Sequence, residues 1–506
     1  MRASFLLLIL VTVMALSAAI AAPPTDTAQG AAGTAVSGDA LLSDEPSLRI
    51  TGATVEPDTQ RLIITGQKFG NHRLPTVKLD AVVLGLTSAS DDRLVSDPLP
   101  SDLTSIGRHT LRVADGNDRT RFAIYQLVID APPGPGPGAG PAPGASVPPA
   151  GLKTNQISVI DRNGDVGWGT SIALGANGNP LILYLDYTNR DLKLARCRDG
   201  ACTGADLVAL DADGDVGWFS ALVVGTDGLP RMSYFDKTQK VLKFGRCADP
   251  ECRDFTTRVI DTAGALGQYT SIMLGRDGLP VISYHDKTHG SLKVAHCQDP
   301  DCATLERATV DNLGNVGWYN SIALGADGHP VISYFDAARR DLKFAQCANP
   351  YCSSARVTTV DIGGVGLGTA IVVGADGLPV IAYWDFFNDN LKLARCTSAD
   401  CARASLSVID SKGAVGTSAA MILGADGHPI ISYRDHTNRA LKIAHCVDPA
   451  CADVRISVPD NQGSVGSHSS IAIGADGLPI VSYYDETNGD LKVLHCGDAS
   501  CSAAAH

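Results

Sequence analysis

Trp168, Trp218 and Trp318 recur at multiples of fifty residues, and aspartates recur in the same rhythm. Asp186, Asp236, Asp286, Asp336, Asp385, Asp435 and Asp485 each follow a tyrosine by two positions. A second set, Asp161, Asp211, Asp261, Asp311, Asp361, Asp410 and Asp460, opens a polar turn ahead of each tryptophan position. A sugar presents a C–H face that packs on an indole and hydroxyls that donate to carboxylates. Tryptophan beside aspartate therefore points to carbohydrate recognition. Gln268, Leu367, Thr417 and Ser467 stand at the other tryptophan positions. That departure from the repeat marks Trp168, Trp218 and Trp318 as candidate ligand contacts, with Asp186, Asp236, Asp286 and Asp336 beside them. His285, Arg434 and His436 vary in the same manner, and His285 joins the candidates. A residue present in every unit also suits construction: a buried tyrosine hydroxyl needs a partner, and a turn aspartate caps backbone N–H groups.

Catalytic patterns are less evident. A glycosidase needs a paired acid and base, and none of the many aspartates is singled out for that work. After residue 151 the only glutamates are Glu251, Glu306 and Glu486. No Gly-x-Ser-x-Gly elbow and no His-Glu-x-x-His pair occurs. Asp161-x-Asn163-Gly164-Asp165 and Asp211-x-Asp213-Gly214-Asp215 resemble the start of calcium loops but lack the bidentate glutamate at the twelfth position. No cofactor is expected, and calcium is the one metal these turns suggest.

These residues belong to a unit repeated seven times. Cys197, Cys247, Cys297, Cys347, Cys396, Cys446 and Cys496 mark a period of 50, with one interval of 49. Such a period is that of propeller blades. Each unit reads as four strands, with an Asp-Gly or Asn-Gly hairpin between the first two, where glycine adopts φ > 0 cheaply. One fourth strand, Ile157–Ile160, precedes every complete set, and little chain follows Cys501. The expectation is a closed seven-bladed β-propeller over residues 152–506, completed by its N-terminal strand, which removes open sheet edges. A second Cys follows each marker by five, at Cys202, Cys252, Cys302, Cys352, Cys401, Cys451 and Cys501. Seven short-range pairs predict seven disulfides, each worth about 2 kcal/mol, and an oxidising compartment. One pair offers too few thiolates for a tetrahedral metal site.

The formal charge is −13, which disfavours nucleic acid and anionic membrane surfaces as partners. Residues 1–22 read as a secretory signal: Arg2, an apolar core from Phe5 to Leu16, and the small-x-small Ala19-Ile20-Ala21. Residues 23–46 read as a flexible leader, and 131–151 as a Pro/Gly/Ala linker. The mature chain is expected outside the cytoplasm, without membrane insertion, facing an extracellular glycan or protein.

Residues 47–130 alternate short apolar strands with turns such as Gly70-Asn71 and Asp115-Gly116, the spacing of a small β-sandwich. Leu62-x-Ile64-Thr65-Gly66-x-x-Phe69-Gly70, Pro75-x-Val77-x-Leu79, Asp97-Pro98-Leu99-Pro100 and Gly107-x-His109-x-Leu111-x-Val113 together resemble the immunoglobulin-like IPT/TIG domain. That resemblance implies a spacer or interaction module and brings no catalytic residues. The repeat is similar in architecture to bacterial surface propellers and, in its tryptophan-bearing segments, to seven-bladed lectins. The fold class expected is all-β: an Ig-like sandwich linked to a propeller. The function expected is recognition, with a protein-interaction scaffold or a propeller glycoside hydrolase as alternatives.

Overall fold

A computed structural model describes strand segments between residues 49 and 129, and residues 154–503 apart from 263 and 265. The expected signal (1–22), leader (23–46) and linker (131–151) lie outside the described residues. The described chain is all-β, and no helix long and apolar enough to cross a membrane occurs in it. It divides into two compact units, Met1–Ala145 and Ser146–His506.

The first unit holds β1 (Arg49–Glu56), β2 (Arg61–Gln67), β3 (Thr76–Leu79), β4 (Val82–Leu84), β5 (Leu86–Ala89), β6 (Arg93–Pro98), β7 (Gly107–Ala114) and β8 (Phe122–Ile129). They form two antiparallel sheets, ordered β1-β2-β6-β5 and β4-β3-β7-β8. Leu62, Ile64, Val77, Leu94 and Val113 are fully buried. Leu62 and Ile64 alternate with outward neighbours, as the two-residue period of a strand demands.

The second unit starts with β9 (Gln156–Asp161), followed by β10 (Val166–Leu174), β11 (Pro180–Asp186), β12 (Asp191–Cys197) and β13 (Ala205–Asp211). β10 to β13 make one four-stranded antiparallel sheet. The pattern repeats through β14–β33 (residues 218–460) and ends with β34 (Val465–Ile473), β35 (Pro479–Asp485) and β36 (Asp490–His495). The last sheet is ordered β34-β35-β36-β9, so the N-terminal strand supplies its fourth member. Asn155 ties the ends together, donating to the Cys501 carbonyl (2.9 Å) and accepting from the Gly497 N–H (2.8 Å). Repeated four-stranded sheets of this kind are what propeller blades are made of.

The core lies between neighbouring sheets. Ile182 and Tyr184 of the first repeat sheet pack with Ile480, Leu491 and Val493 of the last. Contact is close enough to dictate glycine: a Cβ on Gly167 (φ 98°) would stand 3.0 Å from Leu491 Cα. All seven expected disulfides are present, from Cys197–Cys202 to Cys496–Cys501, with Cα–Cα distances of 4.7–4.8 Å. They indicate an oxidising environment.

Candidate functional site

The tryptophan segments belong to strands and not to the polar turns ahead of them. Trp168 lies inside β10, paired with Leu185, and the register breaks on both sides of it. The break places Gly169 in the left-handed region (φ 58°), and the equivalents Phe219, Tyr269, Tyr319, Gly368, Ser418 and His468 share that conformation at φ 50–59°. A bulge of this type re-aims the side chains that follow it. Here it turns residues of all seven first strands toward one cavity of about 560 Å³, within the usual range of roughly 300–1,000 Å³ for ligand sites.

Aromatic rings along one side of that cavity form a chain of contacts, which Tyr187 joins from outside the lining. His468 lies 5.0 Å from Trp168, Trp168 stacks on Tyr187 at 5.1 Å, and Tyr187 meets Trp218 edge-on at 5.8 Å. Trp218, Phe219, Tyr269 and Tyr319 continue it at 6.3, 4.4 and 4.3 Å. The other side is made of Leu367, Gly368, Thr369, Thr417, Ser418 and Ala419, together with Trp384. No Asp, Glu, Lys or Arg is among the lining residues. Burial pushes the His468 imidazole down to about 4, so it is neutral at pH 7.

Trp168 and Trp218 thus reach the cavity. Each indole is held by its own N–H, Trp168 Nε1 on Asp165 (2.8 Å) and Trp218 Nε1 on Asp215 (2.5 Å). Trp318 makes the corresponding bond to Asn315 (2.9 Å) but packs against Tyr269 and His285 and is not a lining residue. The Asp/Asn-x-x-Trp spacing carried this signal in the sequence. Each of the three tryptophans has its carboxylate or amide three residues earlier, whereas Ala414 and Ser464 precede Thr417 and Ser467.

Asp186, Asp236, Asp286 and Asp336 are buried and are not among the residues lining the cavity. Their carboxylates cap their own turns, accepting from the N–H of Asn189 (2.9 Å), Gln239 (2.8 Å), Thr288 (3.0 Å) and Ala338 (3.0 Å). His285 is also wholly buried, its Nδ1 2.9 Å from the Val316 carbonyl. Burial lowers its pKa, so it too is neutral. Arg434 is neutralised in a paired contact with Glu486 (Nη2–Oε2 2.7 Å), and Ser467 and Ser464 complete that cluster. Burial alone would raise the Glu486 carboxyl, but Arg434 and the two hydroxyls hold it at about 2.

The repeated Tyr and Asp form a latch between sheets. Tyr184 Oη donates to Asp161 of the last sheet at 2.7 Å, and its six equivalents do the same. A lysine from each third strand completes the group: Lys193 Nζ lies 2.5 Å from Asp161, and Lys243, Lys293, Lys343, Lys392, Lys442 and Lys492 repeat the pair. The carboxylates that resembled calcium ligands are occupied here, since Asp161 also accepts from Asn163 N–H (3.0 Å) and Asp165 takes Trp168 and Tyr484. Among the described residues no group of three His, Cys, Asp or Glu is placed to hold a metal.

No family model matches the chain, and no curated protein matches it. The resemblance of residues 47–130 to IPT/TIG domains therefore rests on the quoted motif alone. Among solved structures, the chain is similar to the polysaccharide lyase Uly1 at 10% identity and a TM-score of 0.45, over 67% of this chain and 91% of that one. It is similar to Kuenenia stuttgartiensis hydrazine synthase at 9% identity and 0.45, over 69% and 99%. A third likeness is to the α-L-arabinofuranosidase from Lactobacillus brevis, at 12% identity and 0.32, over 52% and 92%. At these identities and scores nothing about activity passes to this chain.

Proposed function

We propose that residues 152–506 form one closed seven-bladed β-propeller, exported to an oxidising compartment, whose central cavity recognises a neutral carbohydrate. The N-terminal sandwich is then a spacer of IPT/TIG type. One observation carries the reading: a cavity formed by all seven first strands has aromatic rings along one side, hydroxyl-bearing residues between them, and no charged side chain. Aromatic faces suit the C–H face of a sugar, and hydroxyls suit its rim. The absence of carboxylates from the lining disfavours a glycosidase at this place, because both mechanisms of glycoside hydrolysis need a pair of them.

A glycan array with the full, oxidised chain tests the proposal. Selective retention of uncharged glycans is the expected result; a blank array with folded protein would move the reading to a protein-interaction scaffold. Trp168→Ala/Trp218→Ala should weaken binding about a thousandfold, since buried tryptophan anchors contribute ~2 kcal/mol or more each. Trp318→Ala, away from the cavity, should bind within a few-fold of wild type. Calorimetry on wild type and the two variants distinguishes these outcomes, and equal losses in both variants would sink the assignment.

The pH dependence follows from the lining. The His468 pKa is depressed to about 4, so the imidazole is uncharged above that value and gains a proton only below it. Affinity should be flat from about pH 5 to 8 and fall below about pH 4 as a charge enters the apolar arc. A bell-shaped profile centred near neutrality would instead place a carboxylate or a normal histidine at the ligand.

A further inference from the structure

Around the cavity, the residue after each left-handed position faces the preceding sheet. Thr170 donates to the His468 carbonyl (2.8 Å), Ser220 to Gly169 (3.2 Å), Asn320 to Tyr269 (2.6 Å), Thr369 to Tyr319 (2.9 Å) and Ser469 to Ser418 (2.8 Å). Thr270 holds the same place in the third sheet and bonds Ser233 (2.7 Å). The third sheet makes its bond to Ser233 and not to the Phe219 carbonyl, and the sixth has no hydroxyl or amide there at all. Ala419 stands at this place and has no donor for the Gly368 carbonyl. The break coincides with a second one. The residue before each second-strand aspartate packs against the tryptophan position of the next sheet: Tyr484 lies 5.3 Å from Trp168, His285 lies 5.3 Å from Trp318, and Arg434 bonds Ser467. Trp384 and Thr417 are the corresponding residues of the fifth and sixth sheets. Trp384 Nε1 and Thr417 Oγ1 are both buried, and neither has a hydrogen-bond partner. Of the four indoles, those of Trp168, Trp218 and Trp318 are bonded to Asp165, Asp215 and Asn315, and only that of Trp384 is left over.

We infer that the Gly368–Trp384–Thr417 wall is the polar anchor of the cavity and that it selects an uncharged, polyhydroxylated ring such as a pyranoside by pairing with its hydroxyls. The inference deepens the carbohydrate reading above and rests on it. Gly368, Trp384 and Thr417 all line the cavity, and the aromatic arc faces them. A buried polar group without a partner is costly, so a ligand that supplies one is favoured over one that does not. An indole N–H, a hydroxyl and a carbonyl on one wall match the mixed donor and acceptor character of neighbouring sugar hydroxyls. The wall has no cation to select for a carboxylate or sulfate. Trp384 Nε1 and Thr417 Oγ1 have essentially no exposed surface in this structure, so pairing requires a change of side-chain rotamer, which for Thr417 is a turn about χ1.

The test uses the full, oxidised, ¹⁵N-labelled chain, whose four tryptophans give four indole N–H resonances. Assignment follows from single Trp→Phe variants. Methyl glucoside, methyl galactoside, methyl mannoside and glycerol are titrated in turn. The expected result is a downfield shift of the Trp384 indole, with the Trp168 and Trp218 indoles perturbed by ring contact. Thr417→Val, which keeps shape and removes the hydroxyl, should weaken binding about tenfold. Ala419→Ser, which restores the missing hydroxyl opposite the Gly368 carbonyl, should weaken it as well. If a glycoside perturbs Trp168 and Trp218 while Trp384 stays still and Thr417→Val binds as wild type, the anchor is elsewhere and the cavity reading survives. If no probe moves any indole, the carbohydrate reading fails and takes the anchor with it.

Discussion

Reducing the seven disulfides is expected to abolish the cooperative fold of the repeat unit at room temperature. Each bridge joins cysteines five positions apart, within the turn from third to fourth strand. Closing so short a loop contributes about 2 kcal/mol by the chain-entropy estimate. Seven such terms are comparable to the whole net stability of a domain, roughly 5–15 kcal/mol. The turn needs the help: the second cysteine of every pair is held at φ 50–55°, where a residue with a Cβ is disfavoured. Hydrogen bonds assist it, as in Cys202 N–H to the Asp199 carbonyl (3.1 Å) and Ala201 N–H to the Asp199 carboxylate (3.0 Å), but they are local to the turn. Thermal melts by circular dichroism, with and without a phosphine reductant, measure the effect, and alkylation should count fourteen thiols only after reduction. A reduced chain that melts within a few degrees of the oxidised one would show the sheets to be self-sufficient.

Asp311→Ala should destabilise the repeat unit by about 3–5 kcal/mol, because it orphans a buried cation. Asp311 accepts from Tyr334 Oη (2.8 Å) and from the Leu313 N–H (3.0 Å), and it pairs with Lys343 Nζ. Tyr334 is wholly buried and Lys343 only 6% exposed, so water does not replace the lost carboxylate. Asp311→Ala/Lys343→Met should recover part of the loss, since an apolar side chain in place of the orphaned ammonium carries no desolvation penalty. Chemical denaturation of wild type, single and double variants checks both statements. A single-variant loss below about 1 kcal/mol would mean that solvent already screens the latch. The same group sets an acid limit. Burial would raise the Asp311 carboxyl, but Lys343, the Leu313 N–H and Tyr334 together hold it below the usual range, and Asp161 and Asp410 behave alike. A depressed carboxyl pKa contributes stability above the unfolded value, about 4, which is lost as pH falls through the folded one. The stability of the unit should therefore decline below about pH 4 and be insensitive to these groups at neutrality.

The regular features of this protein were legible because each depends on local spacing. A fifty-residue period, Asp-Gly hairpins and paired cysteines specify four-stranded units with one disulfide each, and the leading strand Gln156–Asp161 had to pair somewhere other than its own unit. The tyrosine and aspartate rings were visible too, though not the lysine that completes them. That lysine comes from a strand whose partner carboxylate lies 31 or 32 residues away in another sheet. Of the cavity, spacing picked out Trp168 and Trp218, and tertiary structure decided the rest of the lining. Strand side chains alternate between faces, so a single bulge changes which residues point inward. The left-handed residue of that bulge is Phe219, Tyr269, Tyr319, Ser418 or His468 in five of seven sheets, which removes the glycine signal that usually betrays it. Trp384, the fourth tryptophan, belongs to a second strand, and its proximity to Thr417 exists only because adjacent sheets pack face to face. Local spacing determined the repeated sheets and their bridges; convergence of seven distant segments determined what lines the cavity.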